Sequence, residues 1–529
     1  MTRYPNRFWL IVLGLGLFFD FLFWKQAAGL NFAIFVTITL IGGFYLLLAN
    51  QKIPARKSLL LLVSIALFAV LTFARREPLT LFLAYLFTLF SLGILAFTYL
   101  GGRWMQYGLT DYLGNAILFV VNLITQPFSF LFQVRKEQAE RGETNKVSIF
   151  PILRGLLIAL PIVAIFAALL SSADVVFSQK LADFFKHFGA DKLNENLIRC
   201  LIVALIAYGV AGVFLYVATQ SQDEKLAGDA KLFIKPFIGF TEAAIVLGSV
   251  TALFVIFVVI QFQYFFGGSW NIGIAGYTYS QYARRGFNEL VIVAFFSLMM
   301  ILGLSALAKR ENNLQRWVYS GLSIAIVVLV LVILVSAYQR LMLAIDWHGF
   351  SRLRLYPQVF LIWVGILLLG VVILEVFRRE RYFAFAAVLA SMGFVATLGF
   401  LNIDDSIVRY NVLRATYGRH FNPAYLASLS IDSVPALADE FLNPKLPPAI
   451  HEGVGAALLC QLNSNDFAGA TEQDWRSFSL PRWNAQLAFE RVKASLAAYR
   501  INEERYPMRV RTPSNVFYDC EGTEPTARQ

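Results

Sequence analysis

The chain has 529 residues, of which 58% are hydrophobic and 15% charged, with a formal net charge of +11. Ordinary soluble domains carry about 45–50% apolar and 25% charged residues, so the balance excludes a typical soluble protein and points to lipid. The excess of Lys and Arg does not imply nucleic acid, because these residues sit mostly in short loops between apolar runs, where they orient membrane helices.

Apolar runs of about 20 residues recur through the first three quarters of the chain, the length that crosses a hydrocarbon core about 30 Å thick. Short strands of alternating polarity, the mark of a membrane β-barrel, are lacking. The expected fold is all-α: a polytopic transmembrane helical bundle over residues 1–401 and a small helical extramembrane domain over 402–529. The N-terminal stretch "MTRYPNRFWLIVLGLGLFFDFLFW" starts basic and turns apolar, but no small-residue cleavage pattern follows, so it reads as a retained first span. Spans are expected near 8–24, 29–49, 58–74, 79–100, 149–171, 198–219, 238–266, 289–308, 318–345, 357–377 and 382–401, about eleven in all.

Two apolar segments are set apart. In 111–132, Asp111, Asn115 and Asn122 form one narrow helical stripe and Pro127 interrupts the run, which suggests an interfacial helix. In 172–197, Phe177, Leu181, Phe184, Phe185 and Phe188 recur at helical spacing around Lys180, Asp183 and Lys186, the pattern of an amphipathic surface helix.

Alternate loops differ in charge. One set, including "QKIPARK", 133–148, "KRENNLQR", "RRER" and Arg103, holds about nineteen Lys and Arg, and the other about twelve. The richer set faces the cytoplasm by the positive-inside rule, which places the N-terminus inside and the C-terminal domain outside. Residues after Leu401 have ordinary charge content and helical spacing, with Leu487, Val492 and Leu496 expected on a buried face. Cys460 and Cys520 both fall in that domain, so on an oxidising side they are disulfide candidates, whereas Cys200 reads as a small buried residue in a span.

Phosphate-loop, zinc-protease, C-x-x-C and G-x-S-x-G signatures are missing, and the four histidines, at 187, 348, 420 and 451, lack metal-ligand spacing. No catalytic residue, metal or other cofactor is therefore expected. Ionisable residues within spans are few, namely Asp20, Arg154 and Glu242, each near a helix end, which disfavours an ion-coupled pump. The unusual place is the outer mouth of the eighth to tenth spans. There Arg284 and Arg285 precede one span, Arg340 ends the next, and "DWHGFSRLRLYP" carries Arg352 and Arg354 into the third. Tyr279, Tyr282, Trp347 and Tyr356 add an aromatic belt, and Glu289 is spaced to pair with Arg285. Cations are in excess on a side where orientation alone would leave few. They are expected to meet lipid phosphates, the acids Glu289 and Asp346, or a bound anion.

The stretches "PILRGLLIALPIVAIFAALLSSADVVF", "YSQYARRGFNEL", "RLMLAIDWHGFSRLRLYPQVF", "NIDDSIVRYNVLRA" and "DWRSFSLPRWNAQ" carry a resemblance. They resemble an uncharacterised bacterial multi-pass membrane family known only as domain of unknown function 4153/4173, over residues from about 149 to 490. The resemblance implies a bacterial inner-membrane protein with a helical tail and carries no activity or site residues. Three functions stay open. The first is a non-enzymatic protein of the bacterial inner membrane and cell envelope that binds, transports or senses an anionic lipid or solute through Arg284, Arg285, Glu289, Arg340, Arg352, Arg354, Tyr282 and Tyr356. The second is an envelope enzyme acting on a lipid-linked phosphate, with His348, Asp346 or Glu289 as its base. The third is a scaffold whose C-terminal domain docks a periplasmic protein partner.

Overall fold

The computed structural model of the chain describes residues 5–140, 155, 159, 162–163, 166–187, 191–221, 237–266, 287–309, 312–464, 467, 474–502 and 508–520. The bundle helices are α1 (Pro5–Phe23), α2 (Leu30–Ala49), α3 (Leu61–Ala74), α4 (Pro78–Thr98), α5 (Leu109–Glu140), α6 (Val175–His187), α7 (Asp191–Gln220), α8 (Phe240–Phe266), α9 (Phe287–Leu307), α10 (Asn313–His348), α11 (Arg352–Val376) and α12 (Phe383–Leu401). Such long apolar helices satisfy every backbone polar group within one segment, which is what a hydrocarbon solvent demands. The fold is all-α and of the polytopic membrane type. Among the described residues nine helices are long and apolar enough to cross a membrane, and Ser58–Ala74 and Glu289–Ser305 are shorter apolar helices. Most of the expected span at 149–171 lies outside the described residues.

Close helix approach rests on small residues, as membrane packing without a hydrophobic drive requires. A side chain at Gly16 of α1 would strike the backbone carbonyl of Val203 on α7, and one at Gly212 of α7 would strike that of Leu123 on α5. Asp20 near the end of α1 forms a two-pronged ion pair with Arg199 near the start of α7, at 2.6–3.2 Å. A buried carboxylate is tolerable there because its charge is matched on the spot. Glu242, by contrast, bonds the Gly239 amide of its own helix start at 3.0 Å. Arg154 lies outside the described residues. Cys200 was expected to be buried in its span but is exposed on the side of α7, where a small apolar residue facing lipid carries no penalty.

The segment expected to be interfacial is one continuous helix, α5, which passes through Pro127 and is among those long and apolar enough to cross. Its side-chain contacts include the second half of α7, the start of α1 and the end of α4: Phe119 on Tyr216 and Phe97, Tyr208 on the Ile124 carbonyl, and Phe130 on Phe8 and Trp9. The amphipathic segment forms α6, whose first amides are capped by Asp174 at 2.7 and 3.0 Å.

After the bundle come α13 (Ile403–Thr416), α14 (Pro423–Ala427), α15 (Val434–Phe441), α16 (Pro448–Leu462) and α17 (Leu480–Leu496). A small antiparallel sheet follows, β1 (Arg500–Asn502), β2 (Arg509–Arg511) and β3 (Phe517–Asp519) in that spatial order. The sheet adds strands to a region read from sequence as helical. Asn402, in the left-handed conformation, turns the chain from α12 into α13, a place where asparagine is tolerated. Cys460 on α16 is bonded to Cys520 just after β3. On α17 the buried face is Ala485, Ala488, Val492 and Leu496. Leu487, expected beside Val492, is instead 54% exposed, because it lies one position off this seven-residue repeat and so about 100° around the helix.

This tail shares its core with the bundle. Ile403, Ile407, Val408 and Val412 of α13 pack in one cluster with Leu355 and Val359 of α11 and Leu398 of α12. All contacts between tail and bundle described below gather at one end of the bundle, here called the tail end.

Candidate functional site

The site is built where α10 ends and α11 begins. Gly349 closes α10 with φ +82°, a conformation natural to glycine, and a side chain there would run into Asn411 and Arg414 of the tail. Arg414 of α13 donates to the Asp346 and Trp347 carbonyls at 2.8 and 3.0 Å, thereby satisfying C-terminal carbonyls that α10 leaves without partners. Asn411, about one turn earlier, bonds both the amide and the carbonyl of Phe350 at 2.8 Å. One more stretch back, Asp404 receives the Arg352 guanidinium, with Nε on Oδ1 at 2.8 Å and the second nitrogen on Oδ2 at 2.5 Å. One face of α13 thus grips the connection between α10 and α11 through three side chains.

Asp404 is wholly buried, and Ser430 satisfies it further through its amide at 2.8 Å and hydroxyl at 2.5 Å. The Ser430 hydroxyl also lies 3.2 Å from Asp432, which accepts the Arg76 amide at 2.6 Å. Next in line is Glu77, also buried, which caps α4 through the amides of Leu79 and Thr80 and accepts the Tyr356 hydroxyl. The Tyr425 hydroxyl accepts the Arg352 amide at 3.0 Å. Asp404 meets Arg352 directly, Asp432 joins it through Ser430, and Glu77 reaches α11 through Tyr356, so three buried carboxylates link α4, α11 and the tail. Burial pushes the Asp432 carboxyl up to about 6 and the neighbouring Asp404 charge adds to this, while the Arg76 amide, the Arg75 charge and Ser430 oppose it.

Beneath this network runs an apolar groove between α4, α9, α10, α11 and α12. Its volume is about 400 Å³, and Phe87, Phe295, Met299, Trp363, Ser391 and Phe394 line it. A hollow of about 570 Å³ shares Val291, Phe360 and Phe394 with the groove and continues to Leu353 and Tyr356, at the foot of the polar network. Another apolar hollow, about 460 Å³ between α2, α4, α5 and α7, has no ionisable side chain other than tyrosine among its described lining residues.

The residues singled out in the sequence fall in different places. Arg284, Arg285, Tyr279 and Tyr282 lie outside the described residues. Glu289 is exposed on the first turn of α9. Arg340 is buried and donates to Gln261 of α8 at 2.9 Å, so it joins α10 to α8 away from Arg352. Arg354 is half-buried and reaches the Gly349 carbonyl at 3.2 Å. Asp346 and Trp347 are exposed, and the His348 ring lies 3.2 Å from the Ala344 carbonyl. Asp404, Asp432 and Glu77 were not singled out. Glu77 and Asp404 were visible as acids at the ends of apolar runs, in "RREP" and "NIDDS", whereas Asp432, within the tail, carried no such signal. Among the described residues no group of three His, Cys, Asp or Glu side chains is arranged to hold a metal ion.

A helical bundle of membrane type, with a polar lock at one end and a groove open along its side, is the class of protein this geometry defines. The chain belongs to the family defined by the domain of unknown function DUF4153, whose profile matches residues 62–440. The match covers α3 through most of α15, and thus the groove and every member of the network, and it begins earlier than the motif-bearing stretch from about 149. No curated protein and no solved structure matches the chain.

The raised Asp432 carboxyl has a pH signature. A group that holds its proton more tightly when folded contributes stability fully present below its unfolded value, near 4, and lost as the pH climbs through 6. Hydrogen exchange corrected for intrinsic rates should show α13 and residues 430–433 better protected at about pH 5 than at about pH 7.5, by on the order of 1–3 kcal/mol. Asp432→Asn should flatten that difference, and an unchanged pH response in this variant would remove Asp432 as its source.

Proposed function

We propose that the chain is a bacterial inner-membrane protein that binds an anionic lipid in order to transport or sense it. The lipid's acyl chain lies in the groove between α9 and α11, and its headgroup lies at the tail end. The observation that carries this reading is the groove itself, which is apolar along its length and ends at Tyr356 and Leu353, one residue from Arg354. Its α9 wall begins at Val291, six residues of chain after Arg285. Arg354, Arg284 and Arg285 are then the headgroup cations, Glu289 and Tyr282 stand beside them in the sequence, and Arg352 and Arg340 serve to hold the protein together. A guanidinium suits this role because its fork matches a phosphate with two parallel hydrogen bonds.

The full chain in mixed micelles should retain phosphatidylglycerol over phosphatidylcholine in native mass spectrometry. Ser391→Phe, which fills the groove from an exposed position on α12, should reduce that retention, and Arg284→Ala with Arg285→Ala should weaken it about fivefold per charge removed. Equal retention of both lipids, or a neutral Ser391→Phe, would refute the reading.

We further place the N-terminus in the cytoplasm and the tail outside it. Three observations support this. The Lys and Arg asymmetry favours it; the joined cysteines suit an oxidising compartment; and Phe21, Arg76, Arg352 and Leu398, at or beside the ends of α1, α4, α11 and α12, all contact the tail, as alternate helix ends should. Alkaline phosphatase fused after Gln529 should be active and a fluorescent protein there dark. The reverse pattern would invert the orientation.

A further inference from the structure

Helix α17 is apolar on two faces. Ala485, Ala488, Val492 and Leu496 are buried in the core of the tail. Leu480, Trp483 and Leu487 are exposed and form a second stripe at i, i+3 and i+7, about 150° around the helix from the first. A helix between a protein core and water turns polar residues outward, so such a stripe marks contact with something other than water.

The chain just before α17 fixes the height of this stripe against the bundle. The Leu30 amide, at the start of α2, bonds the Phe478 carbonyl at 3.0 Å, and Gly29 lies so close to the backbone of Ser477 and Phe478 that a side chain there would collide with it. Near the end of α1, the Phe21 carbonyl accepts the Arg476 guanidinium at 2.5 Å, and Asp474 holds the same guanidinium at 2.8 Å. Residues 476–478 are thereby pinned where α1 ends and α2 begins, the level at which hydrocarbon gives way to headgroups. Trp475, 54% exposed, packs on Phe21 at 6.3 Å, and Phe21 is itself 51% exposed on a helix long and apolar enough to cross a membrane. The lipid-facing surface of α1 therefore continues onto Trp475, and Phe478 lies between it in sequence and Trp483, whose ring is 6.4 Å away.

We propose that Trp475, Leu480, Trp483 and Leu487 form a foot by which the tail rests in the headgroup layer of the leaflet at the tail end. The occupant of this face is the bilayer surface and not a protein, because the patch continues from a residue that faces acyl chains. Tryptophan also suits this depth, with an apolar ring and an N–H able to meet headgroups. The foot depends neither on a lipid in the groove nor on which side of the membrane the tail occupies.

The test uses the full chain with Cys200→Ser, in which Cys460 and Cys520 stay joined, reconstituted in phosphatidylcholine vesicles. A nitroxide is attached at Trp483→Cys, at Leu487→Cys or at Lys445→Cys, the last an exposed position in the link between α15 and α16. Collision with oxygen against a water-soluble nickel chelate should put the first two labels about 5–10 Å into the bilayer surface and leave the third in water. The proposal is overturned if the label at position 483 or 487 meets the chelate as freely as the one at position 445, which would leave this face open to a protein partner.

Discussion

The structure turns on a single buried ion pair, Arg352 with Asp404. Taking a guanidinium and a carboxylate out of water costs several kcal/mol per ion, and only close two-pronged geometry with further hydrogen bonds offsets it. Both conditions are met, since Ser430 occupies the remaining acceptor capacity of Asp404 and the Arg352 amide is held by Tyr425. Such a pair contributes less to stability than to register. An arginine at the start of α11 can find its partner only when α13 lies in one position, and that position also brings Asn411 and Arg414 onto the end of α10.

The two ends of the bundle consequently differ in kind. At the tail end, cations are matched by carboxylates drawn from elements far apart in the chain, and the polar groups form a closed lock. At the other end, Arg56, Lys57, Arg103 and Arg381 from three connections line one cavity. The groove lies between these ends, its walls supplied by helices on both sides of the lock. Tyr356 belongs both to the polar network and to the hollow that continues the groove.

The bundle was legible in the sequence because membrane-spanning helices are written locally, in run length and flanking charge. The unusual nature of "DWHGFSRLRLYP" was legible for the same reason, since arginines beside a span are conspicuous. Their partners were not. Glu289 and Asp346 are the nearest acids in sequence, whereas Asp404 is 52 residues from Arg352 and Glu77 is 279 from Tyr356. Pairing over such separations is decided by how helices pack, which no local pattern encodes. Helix α5 shows the opposite difficulty, because its polar stripe and Pro127 argued against a span while its length and apolar content allow one. The short sheet was missed because three strands of three residues each are too brief to show alternation.

The claim that Arg352 and Asp404 set the position of the tail is tested most directly by a double-mutant cycle. Arg352→Met, Asp404→Leu and the double variant would be compared with the parent through hydrogen-exchange protection of α13 in the full chain. Each single change should lower protection by about 3–5 kcal/mol, because it strands a buried charge, while the double variant should recover most of that loss. Losses that simply add, with a coupling below about 0.5 kcal/mol, would contradict the account.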